Sequence, residues 1–160
     1  MDRIWAPWRM SYLVGTQSEE GCLFCRVIAA PEASDRANLI LWRKPAAFVM
    51  LNRYPYAAGH LMVAPVAHAA SPDALSVPDR AALADLLTDA LARLRDAVGP
   101  DGMNLGMNLG RAGGAGIADH CHWHVVPRFL GDSNFIAVVA DTRVVPEALE
   151  ATWDRLKPFF

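Results

Sequence analysis

Three of the five histidines in this 160-residue chain stand at alternate positions: His120, His122 and His124. In a β-strand, residues two apart share a face and lie roughly 6.5 to 7 Å apart, so the three rings are expected to project together. A neutral imidazole with one nitrogen held by a hydrogen bond leaves the other nitrogen free to attack an electrophile, and imidazoles also bind zinc. The spacing therefore leaves three interpretations open: a surface strand, a mononuclear metal site, or nucleophilic catalysis.

The segment before the histidines favours catalysis on an anionic substrate. Seven of the eleven glycines fall between Gly99 and Gly116, where small residues let backbone N–H groups approach a bulky anion. Residues 103–110 alternate, which predicts a strand with Met and Leu on a core face and Asn104, Asn108 and glycines on a polar face. A tight hairpin that needs glycine is the alternative explanation. Neither a P-loop nor a Gly-x-Gly-x-x-Gly motif occurs, so kinase and Rossmann functions have no support.

Two of the three cysteines, Cys22 and Cys25, have the Cys-x-x-Cys spacing of a metal or redox pair. Two more ligands would be needed to close a tetrahedral zinc site, and ordinary buried thiols are the alternative. Cys121 stands alone, and three cysteines cannot build a framework of several disulfides.

Apolar patterning predicts an α+β domain with an antiparallel sheet of about five strands and two main helices. Ser76, Pro78 and Asp79 resemble a capped helix start, and Gly99 ends the helical pattern. The predicted strands cover residues 39–42, 48–51, 60–65, 103–110, 120–127 and, as an addition, 135–139, and a last helix follows Glu147. We expect one domain over 1–160, with an irregular arm at 1–35 and the catalytic sheet and helices at 36–160.

Composition excludes several classes of protein. The chain is 53% hydrophobic and 20% charged, unlike a disordered protein, and its net charge of −2 and pI of about 6.2 are unlike a non-specific nucleic-acid binder. It has neither an apolar run of ~18 residues nor an N-terminal signal-peptide pattern. We therefore expect a cytoplasmic protein with no nucleic-acid or membrane partner.

The run from His120 to Pro127 resembles the signature of the histidine triad (HIT) family of nucleotide hydrolases and transferases. Similarity extends over residues 52–63 and 104–110 and to Arg128, while residues 4–13 and 131–135 resemble the bacterial branch that includes diadenosine tetraphosphate phosphorylases. The resemblance implies a HIT-like fold, a homodimer, an adenine nucleotide substrate and no organic cofactor.

The resemblance also implies roles for individual residues. His122 would attack the α-phosphate to form a nucleotidyl-histidine intermediate, His124 would hydrogen-bond the phosphate or leaving group, and His60 would join the imidazole network. The implied nucleotide-binding residues are Asn52 at the ribose, Asn108 at phosphate, and Asn104, Gly114, Gly116 and Arg128. Many members carry Gln or Ser where this chain has residues 114–117, so side-chain contacts to phosphate there would be replaced by backbone N–H groups or lost.

Related bacterial members complete an early Cys-x-x-Cys with two histidines that match His68 and His120. This implies a closed Cys2His2 site for structural zinc, made of Cys22, Cys25, His68 and His120. A closed shell leaves no position for water or substrate, so such a metal would pin the arm to the sheet.

Several functions remain open at this stage. The expected activity is cleavage of diadenosine polyphosphates by phosphorolysis or hydrolysis, and a nucleoside phosphoramidate or adenylate hydrolase of the same family is the alternative. A zinc-dependent hydrolase with the triad as metal ligands and a nucleotide-binding regulatory module are the competing classes.

Overall fold

The structure is a computed structural model that describes residues 21–132 and 147–160. Five antiparallel strands form one sheet in the order β1-β2-β3-β5-β4. The strands are β1 (Ile40–Arg43), β2 (Ala47–Leu51), β3 (Leu61–Pro65), β4 (Gly102–Met107) and β5 (Trp123–Arg128). The helices are α1 (Leu23–Ala29), α2 (Asp35–Asn38), α3 (Val77–Val98) and α4 (Leu149–Leu156), with 3-10 turns at Glu32–Ser34, Pro72–Ala74 and Lys157–Phe159. The predicted α+β class and antiparallel sheet are confirmed.

Both faces of the sheet are covered at β2 and β3. The long helix α3 packs on one face through Leu83, Leu86 and Leu94, while α1 packs on the other through Phe24 and Val27. All five residues of β2 and all five of β3 are buried. Burial on both faces explains why these strands read as continuous apolar runs.

The bounds of α3 agree with the predicted capping residues. The Ser76 side chain accepts a hydrogen bond from the Asp79 amide at 3.2 Å, and Gly99 ends the helix with a φ of +55°. A side-chain acceptor at the N-terminus satisfies an otherwise unpaired amide, and glycine adopts the left-handed conformation at the C-terminus without steric cost.

The fourth strand differs from its prediction. It ends at Met107 rather than residue 110, and Leu105 and Leu109 are 44% and 48% exposed instead of lying in the core. Alternation correctly predicts an extended segment, and Met103 and Met107 pack against the core as expected, but it does not reveal that β4 is the last strand in the order of the described sheet.

The strand that carries the histidines also begins later than predicted. Regular pairing with β3 starts at Trp123, so only His124 lies within β5, and His120 and His122 precede it. The Cys121 amide donates to the Ala69 carbonyl at 2.7 Å, which holds this segment to the loop after β3 instead of to the strand itself.

The predicted strand at 135–139 and the N-terminal segment 4–13 lie outside the described residues. Within the described residues, no helix has the length and apolar character needed to cross a bilayer.

Candidate active site and metal centre

Three of the predicted histidines meet on the face of the sheet that carries α1. The rings of His122 and His124 have centroids 4.9 Å apart, and Nε2 of His60 lies 3.0 Å from Nδ1 of His124. Met62 on β3 pairs with His124 on β5, so His60, two residues before Met62, lies on the same face. The topology thus brings residues 64 positions apart into contact.

Hydrogen-bond polarity determines which nitrogens of His60 and His124 carry protons. The Tyr56 amide donates to His60 Nδ1 at 3.1 Å, so this nitrogen is an acceptor and the proton of neutral His60 sits on Nε2. His60 Nε2 therefore donates to His124 Nδ1. In neutral His124 the proton must then lie on Nε2, which makes that nitrogen a hydrogen-bond donor.

His122 has the opposite tautomer. Its Nδ1 lies 2.9 Å from the carbonyl oxygen of His120, and because a carbonyl only accepts, Nδ1 must carry the proton. The Nε2 of neutral His122 consequently keeps an unshared electron pair. One imidazole is prepared as a nucleophile and its neighbour as a donor.

Burial favours the neutral forms of His60 and His122. His60 is fully buried and His122 is 4% exposed. Desolvation, followed by the nearby His124 and His122, lowers the pKa of His60 to about 3. Desolvation also lowers the pKa of His122, although its bond to the His120 carbonyl opposes the shift. Neutral rings are the forms that attack an electrophile.

His120, the first of the three alternating histidines, belongs to a different site. His120 lies with Cys22, Cys25 and His68, and the ligand atoms of these four residues are all within 4.8 Å of one another. Sγ of Cys22 is 3.3 Å from His120 Nδ1, and Sγ of Cys25 is 3.3 Å from His68 Nδ1. Zinc bond lengths of ~2.3 Å to sulfur and ~2.0 Å to nitrogen place tetrahedral ligand atoms about 3.6 Å apart. The two sulfur–nitrogen distances of 3.3 Å are near this value, so the four residues could hold a zinc ion.

The orientation of His120 supports the same conclusion. Its Nε2 lies 2.9 Å from the Pro65 carbonyl and so must donate, which leaves Nδ1 unprotonated and directed at the thiols. A ligating histidine usually donates its other N–H to a carbonyl or carboxylate. The four residues can hold a zinc ion, with its coordination filled by protein.

The predicted nucleotide-binding residues lie in three separate groups, with Gly116 apart from them. Asn52 Nδ2 is 3.5 Å from His60 Nδ1, and Asn108 Nδ2 donates to the Gly114 carbonyl at 3.4 Å. Arg128 instead forms a salt bridge with Asp132 at 2.6 Å and donates to Asn104 Oδ1 at 2.9 Å. Gly116 lies exposed in the loop that leads to the histidines.

Two contributors to the site carry no sequence signal of their own. Phe24 is fully buried, with its ring centroid 4.8 Å from that of His122 and 5.0 Å from that of His120. Tyr56 places its ring 4.7 Å from that of His60 and also supplies the amide donor. The Cys-x-x-Cys motif pointed to the turn that holds Phe24, but not to its contact with a histidine.

Comparison with known proteins identifies relatives of this chain. Residues 34–131 match the family model described as HIT domain. The chain is 33% identical to an AP-4-A phosphorylase of Mycobacterium tuberculosis, over 95% of this chain and 80% of the relative.

Two solved structures have similar folds. A hypothetical histidine triad nucleotide-binding protein from Sulfolobus tokodaii superposes with a TM-score of 0.68 at 25% identity, covering 86% of this chain and 91% of that one. A zinc-bound histidine triad family protein from Mycobacterium smegmatis gives 0.67 at 24% identity, covering 87% and 92%.

Proposed function

This chain belongs to the HIT family, and we propose that it cleaves diadenosine polyphosphates through a covalent nucleotidyl-histidine intermediate on His122. A nucleotide-processing activity follows from the family and from the similarity to the mycobacterial AP-4-A phosphorylase. The observation that carries the finer proposal is the tautomer of His122, whose Nδ1–H donates to the His120 carbonyl and leaves Nε2 free.

In the first step, His122 Nε2 attacks the α-phosphorus, a P–N bond forms and the P–O bond to the leaving nucleotide breaks. The leaving nucleotide departs as an anion and accepts a hydrogen bond from His124 Nε2. The His122 ring gains positive charge, which the Nδ1–H bond to His120 stabilises. With diadenosine tetraphosphate the leaving group is ATP.

In the second step, inorganic phosphate or water attacks the same phosphorus and the P–N bond breaks. Phosphate would give ADP, and water would give AMP. The imidazole nucleophile replaces one displacement at phosphorus by two successive ones. This suits phosphoryl transfer, because positioning and charge stabilisation dominate its barrier.

Nucleotide contacts are proposed for Asn52, which lies beside His60, and for the residues of the loop after β4. Asn52 would bind the ribose, and Asn108, Gly114 and Gly116 would bind phosphate. Arg128 and Asn104 are weaker candidates, because the guanidinium is already paired with Asp132 and bonded to Asn104.

The proposed cofactor is a structural zinc ion at Cys22, Cys25, His68 and His120. With four protein ligands it would fix the start of α1 to the segment before β5. The catalytic roles of His60, His122 and His124 then need no metal at the triad.

A homodimer is proposed from the edge of the sheet. Among the described strands, β4 lies at an edge of the sheet; Leu105 and Leu109 are exposed there, and Leu130 is 89% exposed. An exposed apolar edge strand is a template for pairing with another chain.

The test is to incubate the purified protein with diadenosine tetraphosphate, with and without inorganic phosphate, and to identify the nucleotides by chromatography. ATP plus ADP only with phosphate would establish a phosphorylase, and ATP plus AMP without it a hydrolase. His122→Asn should form neither product and no covalent adduct. Turnover of adenosine phosphoramidate alone would favour the second candidate, a phosphoramidate or adenylate hydrolase that uses the same His122 chemistry.

A further inference from the structure

Beside its edge-on contact with His124, the His122 ring has two described contacts, and both come from the region of the Cys/His cluster. Its Nδ1–H is held by the carbonyl of His120, whose own ring faces the thiols. Its ring lies 4.8 Å, centroid to centroid, from the ring of Phe24, which stands between Cys22 and Cys25 in the chain. The hydrogen bond determines the tautomer, while the aromatic contact limits rotation of the ring.

Phe24 is itself held firmly. It is fully buried in the smaller core cluster, where its ring meets that of Phe48 edge-on at 6.2 Å. The two cysteines flank it at the beginning of α1. Its position therefore depends on where α1 lies relative to the sheet.

The C-terminal end of α1 is fixed by an arginine from the sheet. The Arg43 guanidinium donates to the carbonyls of Ile28 at 2.6 Å and Ala30 at 3.0 Å, and it forms a salt bridge with Asp35 at 2.6 Å. Cationic donors at a helix C-terminus satisfy its unpaired carbonyls. Thus α1 is attached at both ends, by the Cys/His cluster and by Arg43.

We infer that Phe24 is a positioning residue for His122: α1, attached at both ends, presses the Phe24 ring against the imidazole and keeps Nε2 aimed at the phosphorus. This inference rests on the proposed function for its effect on rate. Its effect on the His122 ring is independent of any substrate. A displacement of about 1 Å at reacting atoms can cost up to a hundredfold in rate, so a packing contact alone can control turnover.

The test compares Phe24→Leu with the matched control Phe48→Leu. Both residues are fully buried phenylalanines of one cluster, and in the described part of the chain no ring contact joins Phe48 to His120 or His122. Each variant is purified with its metal, and its zinc content and thermal unfolding are measured beside the parent. Phe24→Met serves as a second variant if Phe24→Leu does not fold.

Phe24→Leu should lower kcat about tenfold or more, with KM within about twofold, because substrate binding does not use this ring. By nitrogen-15 NMR, the His122 Nδ1 proton should exchange with solvent at least about tenfold faster than in the parent, as expected when the ring can leave its hydrogen bond. Phe48→Leu should lose similar thermal stability but keep the parent kcat and the parent exchange rate.

Equal effects of the two substitutions on kcat would overturn the inference, since general core loosening would then explain them. Unchanged exchange of the His122 proton in Phe24→Leu would overturn it as well, whatever happens to kcat. If the parent turns over no dinucleotide, the proposed function fails, and the exchange measurement alone still decides whether Phe24 holds His122.

Discussion

His60 Nε2 lies 3.0 Å from His124 Nδ1, and His60 is the donor because its other nitrogen accepts from the Tyr56 amide. A backbone amide four residues upstream thus sets the proton positions of two imidazoles. The last proton in this series, on His124 Nε2, is the one available to a phosphate oxygen.

His124→Asn should lower kcat by about a hundredfold or more, the usual cost of losing one donor that stabilises developing charge. Initial rates with diadenosine tetraphosphate, fitted for kcat and KM, measure the effect. Tyr56→Phe is the matched control: it keeps the backbone amide and the ring beside His60, so kcat should stay within about twofold, as for substitutions that remove no structural contact. A comparable loss in Tyr56→Phe would mean that the phenol hydroxyl, rather than the amide, serves the site.

The buried His60 should make the protein sensitive to acid. Its pKa is lowered to about 3 by desolvation and by the neighbouring imidazoles, whereas an unfolded histidine titrates near pH 6.5. Between these values the unfolded chain binds a proton that the folded chain does not, so stability is full above pH 6.5 and falls as the pH drops. The contribution lost between pH 6.5 and pH 4.5 is about 2 to 3 kcal/mol.

Denaturant unfolding of the parent and of His60→Asn at pH 7 and pH 4.5 isolates this contribution. The variant should be less stable at pH 7 but should lose about 2 to 3 kcal/mol less than the parent on acidification. Equal losses in the two proteins would show that His60 is already protonated, or paired, in the folded state.

Substitution of the proposed metal ligand Cys25 should release the metal while leaving the nucleophile His122 in the chain. Cys25→Ser should lose its zinc and lower Tm by roughly 10 °C, because each kcal/mol of lost stability shifts Tm by about 2 to 4 °C in a chain of this size. Zinc content is measured by mass spectrometry and Tm by calorimetry.

Two controls separate a structural metal from a catalytic one. Cys121→Ala removes a buried thiol outside the cluster and should keep the metal, and His122→Asn should also keep it. Loss of zinc from His122→Asn, with retention in Cys25→Ser, would instead place the metal on the triad and support a zinc hydrolase.

The long helix and the proximity of His122 to His124 follow from the sequence because their signals are local, whereas only the family resemblance assigned His60 to the imidazole network. Ser76 and Gly99 are capping residues at fixed distances from the apolar pattern of α3, and histidines at alternate positions stand out in a chain with five of them. The tautomers were not accessible. They depend on the amide of Tyr56 and on the carbonyls of His120 and Pro65, which every residue type possesses.

The stabilising contacts of Arg43 are likewise not predictable from the sequence. Its side chain bonds to carbonyls 13 to 16 residues away, so no period or motif relates donor to acceptors. In the sequence it follows an apolar strand and resembles an ordinary solvated charge, and only the packing of α1 against the sheet shows its partners.

Arg43→Met should destabilise the fold by about 2 to 4 kcal/mol, since it leaves the Asp35 carboxylate and the end of α1 without their donor in a site where both side chains are less than one-fifth exposed. Arg36→Met is the control. Arg36 makes a similarly short pair with Asp154, at 2.7 Å, but both side chains are 53% exposed, so solvent screens the pair and a much smaller loss of stability is expected. Similar losses in urea unfolding of the two variants would show that burial does not strengthen the Arg43 network.

The edge strand provides a test of the proposed homodimer. Leu105 on β4 is 44% exposed although its partner across the sheet, Val125, is buried. Leu105→Glu should shift the protein from dimer to monomer in analytical ultracentrifugation, because a charge at an apolar interface loses its hydration on association. Val77→Glu changes a residue that is 69% exposed at the start of α3, where a carboxylate suits the helix dipole, and should leave the mass unchanged. A dimer that survives Leu105→Glu would require an interface away from the centre of β4, and a parent that sediments as a monomer would remove the proposal altogether.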